Sequence, residues 1–174
     1  MSTFNKGIAK AEVTLKWDPS PLGAPDNDLD LIAATYTRDA PHGAPAYLVH
    51  FDSRFSPDGT INLNRDSRTG KGFGPDEIMT LELNRLSETY TRVVVGVVIQ
   101  QGEGRKVFGE VENTAVLVHE GHTELTANDF AEVAQSTAAT VAEFLRDETG
   151  EWRFHPVLRG FDADPNTFTG LMGS

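Results

Sequence analysis

The stretch TRVVVGVVIQ, with no polar side chain from Val93 to Ile99, constrains this chain more than any other. Its β-branched residues favour an extended backbone, and successive side chains on a strand point to opposite faces. Both faces are therefore apolar and both need cover, which puts this strand at the centre of the fold. Elsewhere the pattern alternates. Val13, Leu15 and Trp17 share one face of AEVTLKW, with Glu12, Thr14 and Lys16 on the other, as in a half-buried strand. Leu29 to Thr35, Ala46 to Phe51, Ile61 to Leu63, Ile78 to Leu83, TAVLVH and EWRFHPV read as further strands. Pro and Gly at 20–26, 41–45 and 57–59 mark loops. NDFAEVAQ, within Ala127 to Arg146, reads as a short helix capped by Asn128, followed by a strand. The glycine-rich segment from Asp162 to Ser174 is expected to be loosely held. About ten mostly antiparallel strands with one or two short helices predict an all-β, two-sheet β-sandwich, because each half-apolar sheet must cover its apolar face with another layer.

A chain of 174 residues fits a single domain spanning 1–174. Acidic residues number 26 against 15 Lys plus Arg, a formal charge of −11. The average field thus repels nucleic acid and anionic lipid while concentrating cations. Cysteine is absent, which excludes disulfides, zinc–thiolate and iron–sulfur sites and thiol nucleophiles. MSTFNKGIAKAEVTLKW has no continuous apolar core of the signal-peptide kind, and no later run is long enough to span a bilayer. The expectation is a cytoplasmic protein that neither inserts into a membrane nor binds nucleic acid.

Six carboxylates stand beside glycines or in short polar motifs: Asp28 and Asp30 in NDLDL, Asp52, and Asp66, Asp76 and Glu77 in RDSRTGKGFGPDE. On an extended NDLDL, Asp28 and Asp30 project to one side. Gly70, Gly72 and Gly74 let the following loop fold tightly enough for Asp66 and the Asp76–Glu77 pair to converge. Two like charges about 4 Å apart repel by roughly 1 kcal/mol in water and about 4 at an effective dielectric of 20, so such a cluster calls for a cation. Ca²⁺, which takes about 6–8 oxygen ligands, suits an all-carboxylate and carbonyl set. Asp58 in SPDG reads instead as a turn residue. The glycines fit neither phosphate-binding signature, His119-Glu120-Gly121-His122 is not a zinc motif, and no G-x-S-x-G occurs. Phe108, Trp152 and Phe154 read as core aromatics.

The same residues carry a resemblance to the TerD-type tellurite-resistance and general stress proteins of bacteria. That family has FDLD, then FYN, GDNxTGxGxGDDE, FGxVxNA and GEWKF; here NDLDL (27–31), HFD (50–52), RDSRTGKGFGPDE (65–77), FGEVENT (108–114) and GEWRF (150–154) follow in the same order. The resemblance implies a calcium-binding β-sandwich without a catalytic reaction, one or two Ca²⁺ ions held between the DLD strand and the glycine-rich loop, and protein partners. Asp28, Asp30, Asp66, Asp76 and Glu77 match the family's acidic positions. Pro75 replaces the first aspartate of GDDE, Ser67 an asparagine and Arg65 a glycine, whereas Asp52 adds a carboxylate where asparagine is usual. The competing reading is a divalent-metal-dependent phosphoester hydrolase, with Arg65, Arg68 and Lys71 as nearby cations.

Overall fold

The computed structural model describes residues 7–102 and 104–174. Ten strands occur among them: β1 (Ala11–Lys16), β2 (Leu29–Thr37), β3 (Tyr47–Val49), β4 (Ile61–Arg65), β5 (Glu77–Leu81), β6 (Tyr90–Ile99), β7 (Ala115–Glu120), β8 (Thr123–Asn128), β9 (Ala138–Arg146) and β10 (Trp152–Phe161). They form two five-stranded sheets, β4-β5-β1-β7-β8 and β10-β9-β6-β2-β3, in which every pairing is antiparallel. This is the expected sandwich, with β6 in the middle of its sheet.

The alternation in sequence becomes two cores. Val13, Leu15, Met79, Leu81, Leu29, Leu31, Val93, Val95 and Val97 belong to the large cluster between the sheets. The opposite face of β2 and β6, with Ile32, Ala34, Tyr36, Val94 and Val98, forms a second cluster with Phe168 and Met172. So the strand that is apolar on both sides is covered on both sides.

That second cover corrects the expectation of a loose C-terminal tail. Helix α1 (Pro165–Leu171) starts at Asp164, whose side chain accepts a 2.7 Å hydrogen bond from the Thr167 N–H, with proline in the first turn. Phe168 is fully buried against β6, where Gly96 makes room: a Cβ there would lie 2.5 Å from Phe168 Cζ. Arg92 Nη1 donates to the Gly173 carbonyl at 2.6 Å and its Nε to Glu143 at 2.7 Å, fastening the C-terminus to the sheet. A polar, glycine-rich composition conceals two apolar anchors at helical spacing. Phe168→Ala would lose about 3–5 kcal/mol of unfolding free energy in a denaturant titration.

Two smaller differences have local causes. NDFAEVAQ yields only a 3₁₀ turn, Ala131–Val133, and Asn128 does not cap it: Asn128 Oδ1 accepts from the Phe130 N–H at 2.7 Å in the turn that precedes it, and Phe130, at the head of the 3₁₀ turn, takes a left-handed φ of 66°. That places its ring in a stack on Phe108 at 4.6 Å, a packing gain a regular helix would forfeit. β8, TELTAN, escapes sequence detection because it is an edge strand without a buried residue, whose alternation is carried by Leu125 and Ala127 alone. No helix among the described residues is long and apolar enough to cross a membrane.

Candidate metal centre

The antiparallel registers bring the acidic segments to one end of the sandwich. β1 leaves this end beside the start of β5, with Leu15 opposite Glu77, and β2 enters it beside the end of β6, with Leu29 opposite Ile99. The loops 17–28 and 66–76 therefore meet there. Trp17 joins them: its indole N–H donates to the Asn27 carbonyl at 2.8 Å, and Gly70 lies so close that a Cβ would sit 2.5 Å from Trp17 Nε1. Gly70 has φ +78° as well, so both space and backbone conformation demand glycine. The register of β4 against β5 shifts between Leu63 and Arg65, a bulge that reorients the strand as the loop begins.

Glu77 is the centre of the arrangement. It stands in the inward register of β5 with Met79 and Leu81, so a carboxylate occupies a position otherwise given to the core. Strand β3 pairs with β2 only as far as Ala33, which leaves the Leu31 N–H on that edge without a strand partner. Glu77 Oε1 accepts from it at 2.7 Å, linking the two sheets. Glu77 Oε2 is buried and accepts no hydrogen bond among the described residues. One oxygen each from Asp30, Asp66 and Glu77 lie within 4.8 Å of one another. Asp30 is buried, with Oδ2 accepting from Gln100 Nε2 at 2.7 Å, and Asp66 Oδ1 is likewise buried without a hydrogen bond.

Beyond the Leu31 N–H and the Gln100 amide, the nearest groups these carboxylates meet are one another, so ionising all three sets like charges within 4.8 Å. Burial first, and then the neighbouring Asp30 and Asp66 charges, hold the Glu77 carboxyl well above the usual range. Burial, opposed by the Gln100 hydrogen bond and reinforced by Asp66, raises Asp30 to about 6. Asp28, at the rim, is raised to about 7 by burial and then by Asp30 and Asp66, with Arg68 working against them. Asp28, Asp30, Asp66, Phe51, Arg68 and Gln100 line a cavity of about 270 Å³ that opens from the cluster to solvent.

Two expected members stand apart. Asp76 is buried in the bend just before β5, outside the converging set of Asp30, Asp66 and Glu77, and its Oδ1 is also buried without a hydrogen bond among the described residues. Its Oδ2 accepts from the Trp17 N–H at 2.8 Å, and its carboxyl is raised by burial against the opposing effect of that hydrogen bond. Asp52 is exposed in the turn after β3, its N–H bonded to His50 Nδ1, while its neighbour Phe51 reaches the cavity. Gln100 is the contributor sequence reasoning missed. It follows the apolar run of β6 directly, and its backbone N–H also donates to the Asp28 carbonyl at 2.8 Å, which positions both Asp28 and Asp30.

The donor set fits a hard cation. Buried carboxylate oxygens without hydrogen-bond donors, converging from two sheets, match calcium's preference for oxygen and for flexible, high coordination. Asp30, Asp66 and Glu77 would hold the ion and Asp28 is poised at its open side; thiolate-seeking and imidazole-seeking metals find no such partners here.

Comparison with known proteins agrees with the fold. The TerD domain family matches residues 1–169. A crystal structure of a homologue of telluride resistance protein (TerD) from Streptomyces coelicolor A3(2) superimposes with a TM-score of 0.94 at 56% identity, covering 97% of this chain and 99% of that one. The tellurium resistance protein TerD of Serratia marcescens is 28% identical over 90% of this chain and 87% of its own length. General stress protein 16U of Bacillus subtilis (strain 168) is 27% identical over 94% and 86% respectively. The chain belongs to the TerD domain family, of the tellurite-resistance and stress-response type, which is not a known enzyme family.

Proposed function

We propose that this chain is a non-enzymatic, cytoplasmic calcium-binding module of a stress response, in which one or two Ca²⁺ ions order the acidic end of the sandwich and prepare it for a partner. The single observation carrying this reading is Glu77: a fully buried carboxylate, unpartnered at Oε2, within 4.8 Å of oxygens from Asp30 and Asp66. Without a cation that arrangement costs stability through desolvation and mutual repulsion. With one, Glu77 answers the Leu31 N–H through one oxygen and the metal through the other, so that metal binding stiffens the junction of the two sheets. The relatives' roles in tellurium resistance and general stress support a protective rather than a metabolic setting.

The reading is tested by titrating metal-free protein with CaCl₂ and MgCl₂ in a calorimeter, alongside thermal unfolding with and without chelator. Calcium should stabilise by about 2.7 kcal/mol at a hundredfold excess over Kd. Magnesium, smaller and slow to lose its waters, should bind more weakly. Equal melting temperatures in calcium and in chelator, with no heat of binding, would remove calcium from the function.

A further inference from the structure

The carboxylate cluster is one end of a larger hollow. The cavity of about 270 Å³ that opens from it carries Phe51 and Gln100 beside Asp28, Asp30, Asp66 and Arg68. A second cavity of about 340 Å³ shares Asp28, Arg68 and Gln100 with the first and runs on to Gln101 and Lys106. Joined, the two fall within the roughly 300–1,000 Å³ typical of small-molecule sites. The wall of the second cavity is held in place. Lys106 Nζ donates to Asn27 Oδ1 at 2.7 Å, which engages that cation and ties its segment to the 17–28 loop. The Gln101 side chain accepts from the Lys106 N–H at 2.7 Å and donates to the Lys106 carbonyl at 2.9 Å.

What such a hollow can hold follows from its charge. Ionised Asp28, Asp30, Asp66 and Glu77 bring four negative charges, against which a divalent ion and the Arg68 guanidinium set three positive ones. The metal-loaded site is thus nearly balanced and slightly acidic. An anion meets the carboxylates and a cation meets the ion and Arg68, whereas a neutral polar ligand is penalised by neither. The lining is also rich in acceptors. Carboxylates only accept, and Gln100, whose Nε2 donates to Asp30 at 2.7 Å, keeps an amide oxygen that accepts no hydrogen bond among the described residues. Such a surface calls for hydroxyl donors. Phe51, half-buried in the turn after β3, adds the only aromatic ring of the first cavity. Asp30, Asp66 and Glu77 each offer one oxygen to a common point, fewer than the 6–8 or so that calcium takes. Two adjacent hydroxyls supply further oxygens without adding charge.

We propose that this hollow is a calcium-dependent site for a neutral sugar. Adjacent ring hydroxyls complete the coordination begun by Asp30, Asp66 and Glu77, Asp28 and Gln100 accept from further hydroxyls, and the Phe51 ring packs on the apolar C–H face of the pyranose. The assignment rests on the calcium reading and names the ligand class of that same centre. It also gives Phe51 and Gln100 a task that metal binding alone leaves unused.

The test is saturation-transfer NMR and calorimetry on the full chain with methyl α-mannoside, methyl α-glucoside and methyl α-galactoside, in calcium and in chelator, beside a calcium titration without sugar. Methyl glucuronoside and glucosamine serve as anionic and cationic controls. At least one neutral glycoside should show transfer in calcium and none in chelator. By linkage, that sugar at saturation should tighten calcium by the same factor as calcium tightens the sugar. Phe51→Ala should weaken the sugar about fivefold and leave calcium affinity unchanged, because a phenyl ring offers no oxygen; Phe51→Trp should restore binding. Calcium binding without transfer to any neutral glycoside overturns the sugar site and leaves the calcium reading standing, while absence of calcium binding overturns both. Transfer that persists in chelator, a charged control that binds more tightly than every neutral glycoside, or undiminished sugar affinity in Phe51→Ala would each overturn the assignment.

Discussion

The two ends of the sandwich use aspartate in opposite ways. At the end away from the cluster, Asp58 Oδ1 accepts from Ser56 Oγ and Thr60 Oγ1, both at 2.7 Å, and from the Thr60 N–H at 3.1 Å; those hydrogen bonds outweigh burial and lower its pKa. Asp147, in the β9–β10 turn, accepts from the Thr149 N–H and hydroxyl, the Glu151 N–H and Arg153 Nε, and is lowered to about 2, most of all by Thr149. At the other end, Asp28, Asp30 and Glu77 are raised, burial being the largest cause in each. A loop aspartate ringed by N–H and O–H donors has finished its work by folding the loop. One ringed by other carboxylates is still short of a positive partner.

The sharpest break would come from Glu77→Gln. The amide oxygen can still accept from Leu31 N–H, so the sheet junction survives, but a buried charge disappears. Thermal unfolding should show the metal-free variant more stable than the parent and the calcium increment of about 2.7 kcal/mol at saturating metal largely gone. Asp66→Asn should weaken calcium at least about tenfold in a calorimetric titration. If either variant keeps the parent's affinity, the two ends do not differ in the way described.

Acidity separates the ends next. Carboxylates raised on folding bind more protons in the folded state, so the stability they contribute is fully present below about pH 4 and is lost as pH rises through about 6 for Asp30 and about 7 for Asp28. In chelator, melting curves should show the cluster's contribution falling from pH 5 to pH 8. Calcium should reverse the trend, its affinity dropping on acidification because protons compete for the same oxygens. The lowered Asp58 has the opposite sign: its contribution is present above about pH 4 and is lost as pH falls below that.

Smaller effects sharpen the contrast further. Asp58→Ala should cost about 1 kcal/mol in urea unfolding, equally with and without calcium, because it removes hydrogen bonds that organise a turn. Asp52→Asn, at an exposed position outside the converging set, should change stability by less than about 0.5 kcal/mol and leave calcium affinity alone.

Much of this was legible in the residues because period-2 patterning is a direct image of burial. The doubly apolar β6, the alternation of β1 and the acidic start of β2 all translate into place. Asp30, Asp66 and Glu77 could be grouped because glycines mark the loop that lets them meet. Asp76 could not be separated from Glu77 without knowing where β5 begins, since Asp76 lies in the bend before that strand and Glu77 is its first residue. Gln100 gave no signal beyond ending an apolar run; its role exists only in the pairing of β6 with β2. The C-terminal helix was hidden for a related reason: Phe168 and Met172 are two apolar residues in a polar stretch, and only the vacant outer face of β2 and β6 explains what they cover.

The placement of the two tryptophans divides the molecule optically. Trp17 lies buried under the glycine-rich loop, its backbone N–H on Asp76 and its ring N–H on Asn27. Trp152 lies at the far pole beneath Arg146, whose guanidinium sits 4.7 Å over its ring. The chain holds just these two indoles, so its own emission carries one reporter at the acidic pole and one reference at the other.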